Sequence, residues 1–173
     1  MNDARPVLQT ILARRSIRRY TGEAVSRDQI EAMLDAAMAA PSGNGVRPWV
    51  IVVVQDEGQR RRLSQVHRYA RMVSEAPVAF AMCADPEDTQ FWVDDCSAAT
   101  ENILLAAQAM GLGGVWIGIY QRQEYQEKVR EILRLPSNLA VHCLIAVGHP
   151  DESKPPHGRY SPEAVYWDWC PLP

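Results

Sequence analysis

The run Trp49-Val50-Ile51-Val52-Val53-Val54 leaves a folding chain little choice. β-branched side chains favour extended backbone, and with no polar residue alternating among them the run predicts a strand buried on both faces. Three more apolar runs follow, Val78–Cys83, Val115–Ile119 and Leu139–Val147, each separated from the last by a stretch of helical period. Four buried strands with helices on both sides predict a three-layer domain. The simple rule for alternating strands and helices favours a parallel sheet.

The helices have readable ends. Val7, Leu8, Ile11 and Leu12 share one face of a short helix that stops near Ala13. Ser26-Arg27-Asp28-Gln29 has the form of a capping box, after which Ile30, Met33, Leu34, Ala37 and Met38 repeat at helical spacing until Pro41. A polar helix is expected from Glu57 to about His67, and another over Arg122–Arg134. The longest spans Phe91–Met110, with Gly111 as its stop. Its second half, residues 98–110, is apolar nearly all round, which suits the centre of a core or a subunit interface. From His149 to Pro173 there are six prolines and no helical or strand period.

One chain of 173 residues with 47% hydrophobic and 23% charged residues has the composition of a single soluble domain, 1–173. No run reaches the length of a membrane helix. The four cysteines, Cys83, Cys96, Cys143 and Cys170, form no CxxC pair, so no metal site is expected, and reduced thiols fit a cytoplasmic location. His142 beside Cys143 reads as a core pair.

Against a net charge of −3, the segment RRSIRRY (14–20) packs four arginines into six positions. Like charges this close repel, so the cluster points to an anionic ligand. The acidic balance of the whole chain makes that a small anion rather than nucleic acid. An arginine-rich start also resembles an organelle transit peptide, but a ligand site accounts for the segment better.

Two glycine-containing stretches carry further information. GLGGVWIG (111–118) is not a dinucleotide fingerprint: the order is helix, glycines, strand, and Trp116 stands where the last glycine should be. What remains is a tight turn presenting the backbone of Trp116, Ile117 and Gly118. In PSGNGVRPW (41–49), the small residues Ser42, Gly43 and Gly45 allow close approach of a planar ligand.

Taken in order, RRSIR, PSGNGVRPW running into WVIVVV, GLGGVWIG and KPPHGRY resemble the nitroreductase family of flavin mononucleotide (FMN) enzymes, over essentially the whole chain. The resemblance implies an α+β fold with a mixed or antiparallel central sheet and an intertwined homodimer. Arg14, Arg15, Ser16 and Arg18 would hold FMN, with Arg14 and Ser16 at the phosphate and Arg18 toward N1 and O2. His157 and Arg159 would close over the phosphate. Ser42 and Gly43 would reach the flavin from the partner subunit, and the Trp116–Ile117–Gly118 backbone would face N5 and O4. Arg71 is either a second cation near the flavin or a solvated surface residue. Two departures stand out: Gly45 where relatives carry Asn, and Arg47 where Gln often precedes Pro-Trp.

The expected activity is ping-pong transfer of hydride from NAD(P)H to a small electron-poor acceptor, a nitroaromatic, quinone or flavin. FMN carries the chemistry and no catalytic side chain is assigned. The alternatives are a specialised relative such as a reductive dehalogenase, or a non-catalytic FMN-binding or storage protein. The aromatic tail AVYWDW (164–169) reads as part of an arm, about 150–173, packed on the partner subunit.

Overall fold

The computed structural model describes residues 5–156 and 160–170. Its elements are α1 (Arg5–Ala13), α2 (Arg27–Met38), β1 (Trp49–Val54), α3 (Glu57–Leu63), β2 (Val78–Ala84), α4 (Trp92–Ala109), β3 (Gly113–Gly118), α5 (Gln123–Leu133) and β4 (Ala140–Gly148). Their limits follow from local chemistry. At the start of α2, Ser26 Oγ accepts from the Gln29 amide at 3.2 Å and Gln29 Oε1 accepts from the Ser26 amide at 3.0 Å, so the capping box is complete. Asp56 starts α3 by accepting from the Gln59 amide at 2.7 Å. Gly111, at φ 75°, ends α4 and lets the Leu112 amide donate back to Ala107 O at 2.9 Å.

The strands form one sheet in the order β1-β2-β4-β3, with all three neighbouring pairs antiparallel. The parallel sheet favoured by simple alternation is therefore corrected, and the reason is topological. β2 and β3 do run in the same direction, as strands joined by the long crossover helix α4 must. They are not neighbours, however, because β4 inserts between them and runs the other way.

β2 is buried along its whole length, and β4 everywhere but its first residue. On one face α2 and α4 pack Met33, Ala37, Ala99 and Ile103 against Phe80 and Ile145. On the other, α3 and α5 supply Leu63, Val129 and Ile132 against Ala81 and Leu144. Side chains of this size contribute roughly 1.5–3 kcal/mol each when fully buried. β1 departs from the expectation of burial on both faces. It is an edge strand, and Val50 is 43% exposed. An apolar β-branched run does not by itself distinguish a central strand from an edge.

Two irregularities shape the functional end of the molecule. Between β2 and β4, Met82 lies opposite Cys143 while Cys83 lies opposite Val141, so His142 is an extra residue on β4, a β-bulge. Beside β3, Ser16 forms a single parallel bridge to Gly114, and the Ile17 amide donates to Gly114 O at 3.0 Å. The segment then turns past the end of β4, where Tyr20 bridges Pro150. The Tyr20 hydroxyl lies 2.7 Å from Ile17 O and 3.1 Å from Ala146 O, and its burial raises the phenol pKa.

This docking depends on the absence of a side chain at residue 113. A Cβ there would sit 2.7 Å from Ile17. Gly113→Ala is expected to destabilise the fold by about 1–3 kcal/mol through overpacking. Denaturant unfolding, with the midpoint compared at equal slope, measures this; an unchanged midpoint would refute the tight seat.

Candidate functional site

Three pieces of chain meet where β3 begins and β4 ends: residues 14–20, the start of β3, and the stretch 149–155 after β4. Main-chain pairing fixes the first to the other two. The Thr21 amide donates to His149 O at 3.0 Å, and the Asp151 amide to Arg19 O at 2.9 Å. The crowded arginines do not simply face one another. Arg14 Nε pairs with Glu101 on α4 at 3.0 Å, and Arg19 pairs with Asp151 at 3.1 Å. Glu152 accepts from the Arg18 amide at 2.6 Å and pairs with Lys154 Nζ at 2.9 Å. Lys154 and then the Arg18 amide hold its carboxyl below the usual range. Carboxylates from distant parts of the chain thus relieve much of the repulsion that the bare sequence implies.

Arg15 is the exception. One of its terminal nitrogens donates to Pro155 O, but its Nε is buried with no partner among the described residues. A buried guanidinium N–H left unmet costs about 1–3 kcal/mol or more. On the next residue, Lys154 Nζ donates to Ser16 O at 2.6 Å. The corner therefore combines an incompletely used guanidinium with further cations, a donor set that fits a phosphate.

β3 leads away from this corner. From Gly114 to Gly118 it covers four rises, roughly 13 Å. At its far end the backbone is open: Gly118 is exposed, and a Cβ built on it would meet nothing within 4 Å. Here a cavity of about 720 Å³ opens, walled by Trp116, Gly118, Tyr120 and Tyr125, with Arg68 and Arg122 also lining it. The following turn hangs on the bulge, because the Ile119 and Tyr120 amides both lie 3.1 Å from His142 O.

A family model described as Nitroreductase family matches residues 11–76 and 65–149. A protein of Archaeoglobus fulgidus, named provisionally an NADH dehydrogenase/NAD(P)H nitroreductase, is 39% identical over 166 residues, covering 92% of this chain and 95% of its own. The FMN-dependent nitroreductase of Clostridium difficile superposes with a TM-score of 0.90 at 31% identity, over 94% of this chain and 99% of that one. The NADPH:FMN oxidoreductase of Vibrio harveyi, solved with NAD+, gives 0.85 at 30% identity, over 96% and 79%. The chain belongs to the nitroreductase family.

Within this nitroreductase-family protein, Arg14, Arg15, Ser16 and Arg18 gather at one end of β3, and Trp116, Ile117 and Gly118 form the other end. Ser42 and Gly43 do not join them within the chain. Gly43 donates its amide to Asp95 at 2.8 Å on the first turn of α4, and a Cβ on it would strike the Phe91 ring. Ser42 Oγ accepts from the Arg47 amide at 3.1 Å. Asn44 and Arg47 have left-handed φ, near 53° and 55°, and store strain, whereas Gly45 adopts its 72° freely. His157 and Arg159 lie outside the described residues.

The sequence reading missed Lys154, although it stands in the quoted KPPHGRY and its charge was visible there. Arg71 is exposed, as the surface reading of it expected, and the cations lining the cavity are Arg68 and Arg122. His142 is buried as expected, yet it also lines the cavity. Cys83 and Cys96 are buried and their thiols are pushed up to about 12, which leaves them inert. Among the described residues no helix is long and apolar enough to cross a membrane, and no cluster of three His, Cys, Asp or Glu could hold a metal.

Burial lowers the His142 pKa to about 4. Its folded value lies below the ordinary 6.5, so the unfolded chain binds the proton more readily. The stabilisation is complete above pH 6.5 and drains away as pH falls toward 4, by roughly 3 kcal/mol in all. Denaturant midpoints measured between pH 7 and 4.5 should fall steeply in the native protein and less steeply in His142→Gln. Equal slopes would show that His142 does not carry this dependence.

Proposed function

We propose that this chain is an FMN-dependent oxidoreductase that takes electrons from NAD(P)H and delivers them to a small electron-poor acceptor. The observation that carries this reading is the buried, unmatched Nε of Arg15 beside Lys154 and Ser16. That corner lies one strand-length from a bare, exposed glycine backbone. A phosphate at one end and a flat ring at the other use both features.

Arg15, with Arg14 and Ser16, would hold the phosphate end, and Lys154 adds a cation from the C-terminal stretch. His157 and Arg159 match positions that would complete the same clamp. Each charge-assisted bond contributes roughly 1.5–3 kcal/mol. A guanidinium such as that of Arg18 near the pyrimidine edge would stabilise negative charge there. The open backbone at Trp116–Gly118 would seat the ring edge without a side chain in the way. FMN, when bound, supplies the two-electron chemistry, accepting hydride from NAD(P)H and passing it to the acceptor in a ping-pong sequence. No side chain need act as nucleophile or general acid.

The site is completed by a second copy of the chain. Ser42 and Gly43 are held apart from the arginine corner, so they would reach a flavin only across a dimer interface. Surface left open on the single chain supports this. The apolar face of α1 is exposed at Val7, Leu8, Ile11 and Leu12, and Trp167 and Trp169 in the tail are 79% and 81% exposed. Apolar area of this extent marks an interaction surface.

Purified protein is expected to show a flavin spectrum that bleaches anaerobically on adding NADH or NADPH and recovers with an acceptor. Flavin that stays oxidised under both donors would leave only a binding protein. Arg15→Ala should weaken FMN binding by about ten- to a hundredfold, measured by fluorescence titration of the apoprotein, while circular dichroism stays native. Undiminished affinity would remove the phosphate assignment.

Truncation before Tyr166 should shift sedimentation toward monomer. An unchanged dimer would exclude the tail from the interface.

A further inference from the structure

Asp95 carries a buried carboxyl group that packing alone does not explain. It sits in the first turn of α4 and is only 4% exposed. Among the described residues its side chain makes one hydrogen bond, and that bond leaves the helix: Oδ1 accepts from the Gly43 amide at 2.8 Å. Oδ2 is buried with no partner among the described residues. Enclosing a carboxyl with one oxygen unmet costs stability, and an apolar side chain would fill the same space without that cost. What the carboxyl does supply is the placement of Gly43.

The loop around Gly43 has no other such anchor. Its regular part is a single 3-10 turn, Gly43–Gly45, and Asn44 and Arg47 are held at left-handed φ. The Gly45 amide donates to Ser42 O at 3.1 Å, the Val46 amide to Gly43 O at 3.2 Å, and the Arg47 amide to Ser42 Oγ at 3.1 Å. None of these bonds leaves the loop. The bond to Asp95 does, and it ties the turn to the long core helix where a Cβ on Gly43 would strike the Phe91 ring. The same bonds decide what the loop can offer a ligand. The Gly43 amide is used by Asp95. Ser42 Oγ is used as an acceptor, so among the described residues its hydroxyl hydrogen stays free to donate.

We propose that Asp95 is a positioning residue for the flavin held by the neighbouring copy of the chain: it fixes the 42–43 loop so that the free Ser42 hydroxyl serves that flavin. The inference rests on the FMN and dimer reading above, and assigns the control of a partner-side contact to a residue of the core. α4 then serves both flavins of a dimer, because Glu101, farther along it, pairs with Arg14 of the chain's own arginine corner at 3.0 Å.

FMN binding by mixed dimers tests this without relying on turnover. Asp95→Leu removes the acceptor and keeps a side chain of similar size. Its homodimer is expected to bind FMN about tenfold more weakly than the native protein, by fluorescence titration of the apoprotein. Asp95→Asn keeps an acceptor for the Gly43 amide and should recover most of that loss. The deciding species is a dimer of one Asp95→Leu chain and one Arg15→Ala chain, co-expressed with different affinity tags and purified through both. One of its sites then carries both defects and the other neither, so one FMN per dimer should bind with native affinity. If Asp95 acted within its own chain, or on stability alone, both sites would be weak and no native site would appear. That result overturns the inference, as does native affinity in the Asp95→Leu homodimer. Ser42→Ala, which leaves the core untouched, should give the same mixed-dimer result and keeps the test decisive if the Asp95→Leu chain does not fold. Native protein that is monomeric or takes up no FMN would defeat the flavin and dimer reading itself, and this inference with it. Native dimers that take up FMN, with no native site in either mixed dimer, would overturn the role of Asp95 alone.

Discussion

The short main-chain bond from the Ile17 amide to Gly114 O, with the Ser16–Gly114 bridge around it, is the contact on which the proposed site depends. It fastens the arginine segment to the edge of the sheet at a fixed register. A strand pairing is specified to the residue, because a slip of one position turns every side chain to the opposite face. The bare Cα of Gly113 lets Ile17 seat there, and Tyr20 completes the lock with its hydroxyl between two carbonyls. With the segment held, Arg15 is oriented by structure and not by its own flexible stem.

The charges around this lock serve two purposes. Glu101, Asp151 and Glu152 neutralise part of the cluster and bring α4 and the stretch after β4 into contact with it. Exposed pairs of this kind contribute little individually, about 0–1 kcal/mol. Their larger effect is selective, since they occupy Arg14 and Arg19 and leave Arg15 incompletely used. The opposite end of β3 is shaped by a neutral group: a bulge sends His142 inward, where its Nε2 lies 3.2 Å from Ser97 Oγ.

Much of this was legible in the residues. The capping box at Ser26, the stop at Gly111, the four strands and the central helix all appear where their patterns put them, because each is dictated by neighbours within a few positions. The resemblance carried by four motifs in register also pointed correctly to the family. Harder to read were features that depend on distant partners. The direction of neighbouring strands was misjudged by alternation, since no local pattern announces that β4 slides between β2 and β3. Edge exposure at Val50, the pairing of Arg14 with Glu101, and the contact of Lys154 with Ser16 were hidden for the same reason.

The sequence alone determined where helices and strands begin, which runs are apolar, and that positive charge concentrates near residue 16. These follow from hydrophobic period, capping chemistry and backbone preference, all short-range along the chain. Only the tertiary structure decided the order of the strands, that the Nε of Arg15 is left without a partner among the described residues, and that His142 is both a core residue and part of a cavity wall. Those outcomes depend on where a bulge falls and on which carboxylate arrives from a hundred residues away. Contacts of that kind are fixed by closing the whole chain around one core, not by any segment of it.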